Sequence, residues 1–340
     1  MIKPQPLKKG DTIAFVAPSF GLSALFPHRI ERAKSFLESK GFKIKIYPCV
    51  NKITEFACAG TAEERVSDIH SAFKDSQVKA IICTIGGLGA NELLPLLDYK
   101  LIKDNPKIFC GYSDISLLHY AIHKKTGLVT FYGPCAMPEF GEYPEPFGYT
   151  YEQFLKSVTG KIGAIEASKE WTDEFLDWAK KEDLKQKRQT NVNQGVKWLK
   201  HGKAEGKIMG GCLSSILQLK GTEYDVDYER KILFIEIPEG QDMSHGEPIL
   251  YVKSQLYDLK NAGIFNKIKG LIVGRAFRYS VEDRQSFDKL LKSVCQDYDF
   301  PVLSNFDIGH TDPKVTIPLG VHVSMDSEKN SVSFDEQGVA

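Results

Sequence analysis

The sequence has no surplus of either charge: 44 Lys and Arg residues are matched by 44 Asp and Glu residues. That balance argues against a partner held by charge alone, such as nucleic acid or an anionic membrane. Long apolar runs are missing too. The opening segment Met1 to Gly10 carries charges with no apolar run behind them, and no later stretch is long and uncharged enough to span a bilayer. A cytoplasmic protein is therefore expected. The seven cysteines (Cys49, Cys58, Cys83, Cys110, Cys135, Cys212, Cys295) are scattered and never spaced as Cys-x-x-Cys. They read as reduced core thiols and speak against a disulfide frame or a zinc site. Internal repeats and low-complexity tracts are also absent.

What is present is an alternation of short apolar runs with stretches of helical period, the sequence form of βαβ units. A chain of 340 residues exceeds what one core usually serves, so two domains are expected. The apolar runs Thr12 to Ala17, Phe42 to Tyr47, Val78 to Ile85, Ile108 to Cys110 and Leu128 to Tyr132 predict a parallel-sheet α/β domain over residues 1–140. Residues 141–206 lose periodicity, are rich in Pro, aromatic residues and Lys, and hold Trp171, Trp178 and Trp198. They read as the interdomain connection, with one helix near Tyr151 to Val158. Residues 207–340 resume at Lys207 with a strand, a Gly210-Gly211 turn and a helix, followed by strand-like runs at Ile232 to Ile237, Ile268 to Val273 and Pro301 to Phe306, then a final hairpin. That predicts a smaller, strand-rich C-terminal α/β domain.

The densest chemistry lies in Lys107-Ile-Phe-Cys-Gly-Tyr-Ser-Asp114. A short strand breaks at Gly111 and re-forms as a helix from Asp114, which puts Ser113 on the bend. A hydroxyl on a sharp strand-to-helix turn stands proud of the sheet edge, with the helix-opening amides facing whatever it attacks. The alternative is that Ser113 or Asp114 merely caps the helix. Ile115 stands where the nucleophile-elbow pattern Gly-x-Ser-x-Gly has its second glycine, so the motif alone does not decide. Upstream, Gly86-Gly87-Leu88-Gly89 follows a buried strand. Paired glycines there let backbone amides approach a ligand, and N–H groups opening a helix over Asn91 to Leu97 would suit a developing oxyanion; a plain tight turn is the other reading. Neither phosphate-loop spacing is matched.

Of the eight histidines, His310 is best placed to act as a base, since it follows a glycine at a strand end and precedes Thr311-Asp-Pro313. His119 and His123 are four apart on one helix, but no acidic residue completes a metal set, so no metal is expected. His245, in a Gly- and Glu-rich loop, is a weaker rival. Glu236 is a lone carboxylate in an apolar strand, which is costly unless it is paired. The economical assembly is Ser113 as nucleophile, His310 as general base and Glu236 orienting the imidazole. The tryptophans either stack on a flat substrate group or anchor their segment to the core. A non-catalytic two-lobed binding protein with the same cleft is the rival from another class.

These motifs together, Gly111-Tyr-Ser-Asp114, the Gly86-Gly87 turn, Glu236 in its strand, and Gly309-His-Thr-Asp-Pro-Lys-Val-Thr-Ile-Pro-Leu-Gly320, resemble the LD-carboxypeptidase family of serine peptidases in order and spacing, over nearly the whole chain. Asn105 to Asp114 and Phe131-Tyr-Gly-Pro134 are more similar to its microcin C self-immunity branch than to the murein tetrapeptide enzymes. The resemblance implies a Ser113, Glu236, His310 triad and an oxyanion hole from the amides of Gly87 and Asp114. It also implies hydrolysis without metal or cofactor and a homodimer. The substrate would be a small peptide cleaved near a free carboxylate terminus or, in the alternative, a peptidyl-nucleotide whose flat group could stack on one of Trp171, Trp178 and Trp198; Gly86, Trp171 and Trp178 are the candidate substrate-binding residues.

Overall fold

The computed structural model describes residues 1–340. The first half of the chain runs β1 (Thr12–Val16), α1 (Leu22–Leu25), α2 (Pro27–Ser39), β2 (Lys43–Ile46), α3 (Ala62–Lys74), β3 (Val78–Cys83), α4 (Tyr99–Asp104), β4 (Ile108–Gly111), α5 (Ser116–Thr126) and β5 (Phe131–Tyr132). These strands pair in parallel in the order β2-β1-β3-β4-β5. Central strands are covered on both faces, which is why β1, β3 and β4 read as nearly unbroken apolar runs with every residue from Ile13 to Val16 and from Ile108 to Gly111 buried. The chain leaves β1 toward one side of the sheet and β3 toward the other. The loops at their carboxyl ends, Ala17 to Gly21 and Thr84 to Gly89, therefore flank a crevice, the usual ligand position in such a sheet.

The second half adds α6 (Gly148–Val158), a small hairpin of β6 (Glu170–Trp171) and β7 (Asn191–Val192), then β8 (Lys197–Lys200), β9 (Lys203–Cys212), α7 (Leu213–Leu217), β10 (Ile232–Glu236), α8 (Ile249–Asn261), β11 (Gly270–Gly274), α9 (Val281–Cys295), β12 (Val302–Phe306), β13 (Ile317–Pro318), β14 (His322–Asp326) and β15 (Ser331–Phe334). A seven-stranded sheet has the order β15-β14-β9-β10-β11-β12-β8; its four central strands are parallel and the outer ones antiparallel. The two sheets are tied together: β13 returns to pair antiparallel with β5. The architecture is thus a parallel α/β sheet followed by a strand-rich α/β sheet. No helix is long and apolar enough to cross a membrane, and all seven cysteines are free and buried.

Local rules account for several boundaries. Thr61 and Glu64 form a reciprocal capping box at the start of α3, and Ser280 with Asp283 does the same for α9. Gly127, at φ 74°, closes α5 in the left-handed conformation that costs glycine least. Two expectations are corrected. The helix expected over Asn91 to Leu97 is only a single 3₁₀ turn, Ala90–Leu93, because Pro95 lacks the amide needed to continue it. Gly210-Gly211 is not a turn but lies inside β9, where a Cβ on Gly210 would strike the Phe234 carbonyl and one on Gly211 the Ser116 hydroxyl.

Candidate active site

Ser113 sits between β4 and α5 with φ 65°, a region a side-chain-bearing residue enters only at a cost of about 1–3 kcal/mol. The surrounding structure holds it there from several directions. Its N–H donates to the Tyr132 hydroxyl at 3.3 Å. Its carbonyl accepts from the Ser116 hydroxyl at 2.6 Å, and that same hydroxyl oxygen accepts the Cys212 N–H at 3.1 Å, so both sheets fix the turn. Gly86 packs directly against it: a Cβ at Gly86 would stand 2.8 Å from Ser113 Cβ. Gly87, at φ 128°, faces the Phe20 ring just as tightly, and its N–H donates to no other protein group. These two glycines are there because nothing larger fits.

The three residues proposed from sequence as a chemical unit meet here although they are far apart in the chain. Ser113 Oγ lies 3.1 Å from His310 Nε2, and His310 Nδ1–H donates to Glu236 Oε2 at 2.8 Å. Glu236, the last residue of β10, is completely buried and also accepts from the Tyr132 hydroxyl at 2.6 Å. Gly309, at φ 92°, lets the backbone pass so close that a Cβ would lie 2.5 Å from Glu236 Oε2. Burial works to raise the Glu236 carboxyl, but the imidazole and then the two hydrogen bonds outweigh it and hold the group below its usual range. For His310, burial disfavours the cation, yet Glu236 and then Glu239 reverse this and push the imidazole up to about 9. Lys314, paired with Glu139 at 2.6 Å and lying over the Tyr112 ring at 3.9 Å, opposes that rise.

Asp114 turns its carboxylate away from the cavity. It accepts from the Ser19 hydroxyl at 2.5 Å and the Ala90 N–H at 2.9 Å. That ties the loops after β1 and β3 to the start of α5, and its backbone nitrogen lies beside Gly86.

A cavity of about 650 Å³ opens over Ser113 and His310, lined by Gly86, Gly87, Phe20, Phe26, Trp178 and Gln218 among others. The Trp178 ring packs edge-on against Phe26, 5.7 Å between centroids, and the Arg29 guanidinium lies 4.4 Å from its centre. Trp171 is elsewhere: it stacks between Arg275 at 4.9 Å and Arg284 at 5.1 Å and does not line this cavity. Trp198 donates its indole N–H to Asn330.

The other histidines are spent differently. His119 is fully buried, bonded through Nε2 to the Gly111 carbonyl at 2.9 Å, and His123 Nδ1 lies 3.3 Å from the Leu128 carbonyl. His245 is exposed beside Asp242. Sequence reasoning missed Tyr132, Tyr112, Lys314 and Glu239. Tyr112, Tyr132 and Lys314 lie inside the motifs quoted above without a role of their own, and Glu239 shows only as a second carboxylate three residues after Glu236.

A serine on a strained turn, facing an imidazole backed by a buried carboxylate across two α/β sheets, defines a class in which serine peptidases are found. The models of the LD-carboxypeptidase N-terminal domain and C-terminal domain match residues 13–133 and 205–325. The chain belongs to the LD-carboxypeptidase family of serine peptidases. It is 35% identical to the microcin C7 self-immunity protein MccF of Escherichia coli over 98% of this chain and 95% of that protein. It is 36% identical to the putative carboxypeptidase YocD of Bacillus subtilis over 92% of this chain and 93% of that protein. A solved structure of MccF in complex with aspartyl sulfamoyl adenosine matches it with a TM-score of 0.91 at 34% identity, covering all of both chains.

Proposed function

We propose that this protein hydrolyses an amide bond with Ser113 as nucleophile, His310 as general base and Glu236 as the group that orients the imidazole. The hydrogen-bonded chain from Ser113 through His310 to Glu236 is the observation that carries this reading. Ser113 attacks the carbonyl as Nε2 takes its proton, and the same nitrogen then protonates the leaving amine. Glu236 balances the imidazolium. The N–H groups of Gly87 and Asp114 are the oxyanion donors, each contributing about 3 kcal/mol to the transition state. Gly86, packed against Ser113 and lining the cavity, is the backbone the substrate passes.

The substrate is a small peptide or peptide-like amide, cleaved near a free carboxylate terminus as in the carboxypeptidases of the family. One observation favours the second reading, an aminoacyl- or peptidyl-nucleotide amide. Trp178 and Phe26 give the cavity an aromatic wall beside Ser113, and MccF, similar over its whole length, has been solved with an aminoacyl nucleotide analogue. Residues 1–140 and 207–340 act as two domains joined by 141–206, with the cleft between them. The chain works in the cytoplasm as a homodimer, without metal or cofactor. Mass-spectrometric product analysis on a murein tetrapeptide and an aminoacyl sulfamoyl nucleotide, with Ser113→Ala as control, tests the reading. Turnover that survives in Ser113→Ala defeats it, and so does failure of a serine-directed phosphonate to label Ser113.

A further inference from the structure

Glu239 lies on the loop leaving β10, and its Oε2 is 3.3 Å from His310 Nε2, the nitrogen that also faces Ser113 Oγ. That oxygen is enclosed and accepts no hydrogen bond. A carboxylate in this position works against a general base, because it favours the protonated ring and competes with Ser113 for the same nitrogen. The charged and titratable groups around His310 are Glu236, Glu239, Tyr112 and Lys314. Lys314 is already committed to Glu139 and Asp312. With the ring protonated, one cation stands between two carboxylates. With the ring neutral, the two carboxylates face each other across it with nothing in the protein to replace the lost charge. The cavity's cations are occupied: Arg29 binds Asp183 and two carbonyls, and Arg188 binds Glu142 and Asp312.

The missing cation therefore has to arrive with the substrate. Resting on the Ser113, His310 and Glu236 reading above, we infer that Glu239 receives the free α-ammonium group of an aminoacyl substrate, and that this cation takes the place of the proton on His310. The reach is right. A carbonyl carbon poised for attack stands about 3–3.5 Å from Ser113 Oγ, its α-ammonium is two bonds further on, and Ser113 Oγ and Glu239 Oε2 touch the same ring nitrogen. The protons balance. Binding sends one proton from His310 to solvent; acylation moves the Ser113 proton to Nε2 and on to the leaving nitrogen as the C–N bond breaks. Water then cleaves the ester, delivering its proton through the same imidazole. Glu239 is thereby a specificity-determining residue that makes the substrate complete its own base.

The test compares aspartyl sulfamoyl adenosine with its N-acetyl derivative on the full chain and on Glu239→Gln. Wild type should prefer the free amine in kcat/KM by roughly ten- to a hundredfold, the worth of a hydrogen bond to a charged group. Glu239→Gln should bring the ratio near one and move the acid limb of the N-acetyl pH profile to lower pH. A purely structural Glu239 would slow both compounds alike, leaving the ratio intact, and that outcome overturns the inference; so does a wild-type ratio near one. If neither compound is turned over, the catalytic reading fails, and binding to Ser113→Ala decides this one. Calorimetry in buffers of different ionisation enthalpy, below about pH 9, should then show a proton released with the free amine and none with the N-acetyl form. Equal proton release with both compounds counts against Glu239.

Discussion

Two nearly hidden histidines, one in each half of the molecule, meet opposite fates. His310, after β12, lies between two carboxylates and is pushed up to about 9. His119, on α5, is packed edge-on against Phe109 at 5.5 Å and beside Tyr132, with a single backbone carbonyl as partner, and burial lowers it to about 4. Burial by itself makes an imidazole inert. It is the charge placed around the ring that turns burial into basicity, and the fold supplies that charge only where a strand end delivers Glu236 into the interface between the sheets. His119 is used as a strut instead, since its bond to the Gly111 carbonyl steadies the end of β4, the strand that presents Ser113.

The sharpest way to break the comparison is to remove the hydroxyl that His310 faces. Ser113→Ala should lower kcat by at least about a thousandfold while leaving the melting temperature close to that of wild type, since the Cβ held at φ 65° is kept and only the hydroxyl is lost. Turnover within tenfold of wild type would show that His310 activates some other group. Glu236→Gln comes next. The amide can still hold the ring but carries no charge, so kcat should drop by roughly a hundredfold and the acid limb of the profile should shift down in pH. A loss in rate with an unmoved pH profile would mean that Glu236 positions the ring without charging it.

A smaller effect is expected at the cavity wall. Trp178→Ala should raise the Michaelis constant for an aminoacyl nucleotide by about ten- to a hundredfold, the worth of one stacked base, and leave a murein tetrapeptide nearly untouched. Trp171→Ala should alter neither, because that ring stacks on Arg275 and Arg284 outside the cavity. Steady-state kinetics on both substrates reads this directly. Equal losses on both, with earlier melting, would reduce Trp178 to an anchor for Phe26 and Arg29.

How much of this was legible in the sequence follows from the same contrast. Ser113, Glu236 and His310 announce themselves because each breaks a local rule: a serine on a glycine turn, a charge in an apolar strand, a histidine in a loop after one. The parallel sheet was legible because doubly covered strands are continuous apolar runs. Tyr132, which links Glu236 to the Ser113 amide, breaks no rule and reads as one more aromatic in a strand. The cavity wall from Pro138 to Arg188 was illegible for another reason. It is assembled from buried ion pairs, Arg29 with Asp183 and Arg188 with Glu142 and Asp312, and such pairs have no period along the chain. Gly210-Gly211 imitated a turn because glycine signals freedom in a sequence, whereas here it signals close approach to Phe234 and Ser116.

The smallest effect on activity is expected at His119, and it tests the comparison from its inert side. His119 is held neutral, with a folded pKa of about 4 against an ordinary 6.5. Above 6.5 both folded and unfolded states are neutral there, and the group's contribution to stability is fully present. As the pH falls from 6.5 toward 4, the unfolded chain takes up the proton first, so stability is progressively lost, on the order of 3 kcal/mol in all. His119→Gln places an amide nitrogen near Nε2, keeps the bond to the Gly111 carbonyl and cannot titrate. It should leave kcat within about threefold of wild type and flatten the decline in unfolding free energy between those two pH values, measured by denaturant titration. An unchanged slope would mean that the ring is protonated in the fold, and a large loss of kcat would give the His119 ring a part in aligning Ser113 beyond its bond to the Gly111 carbonyl.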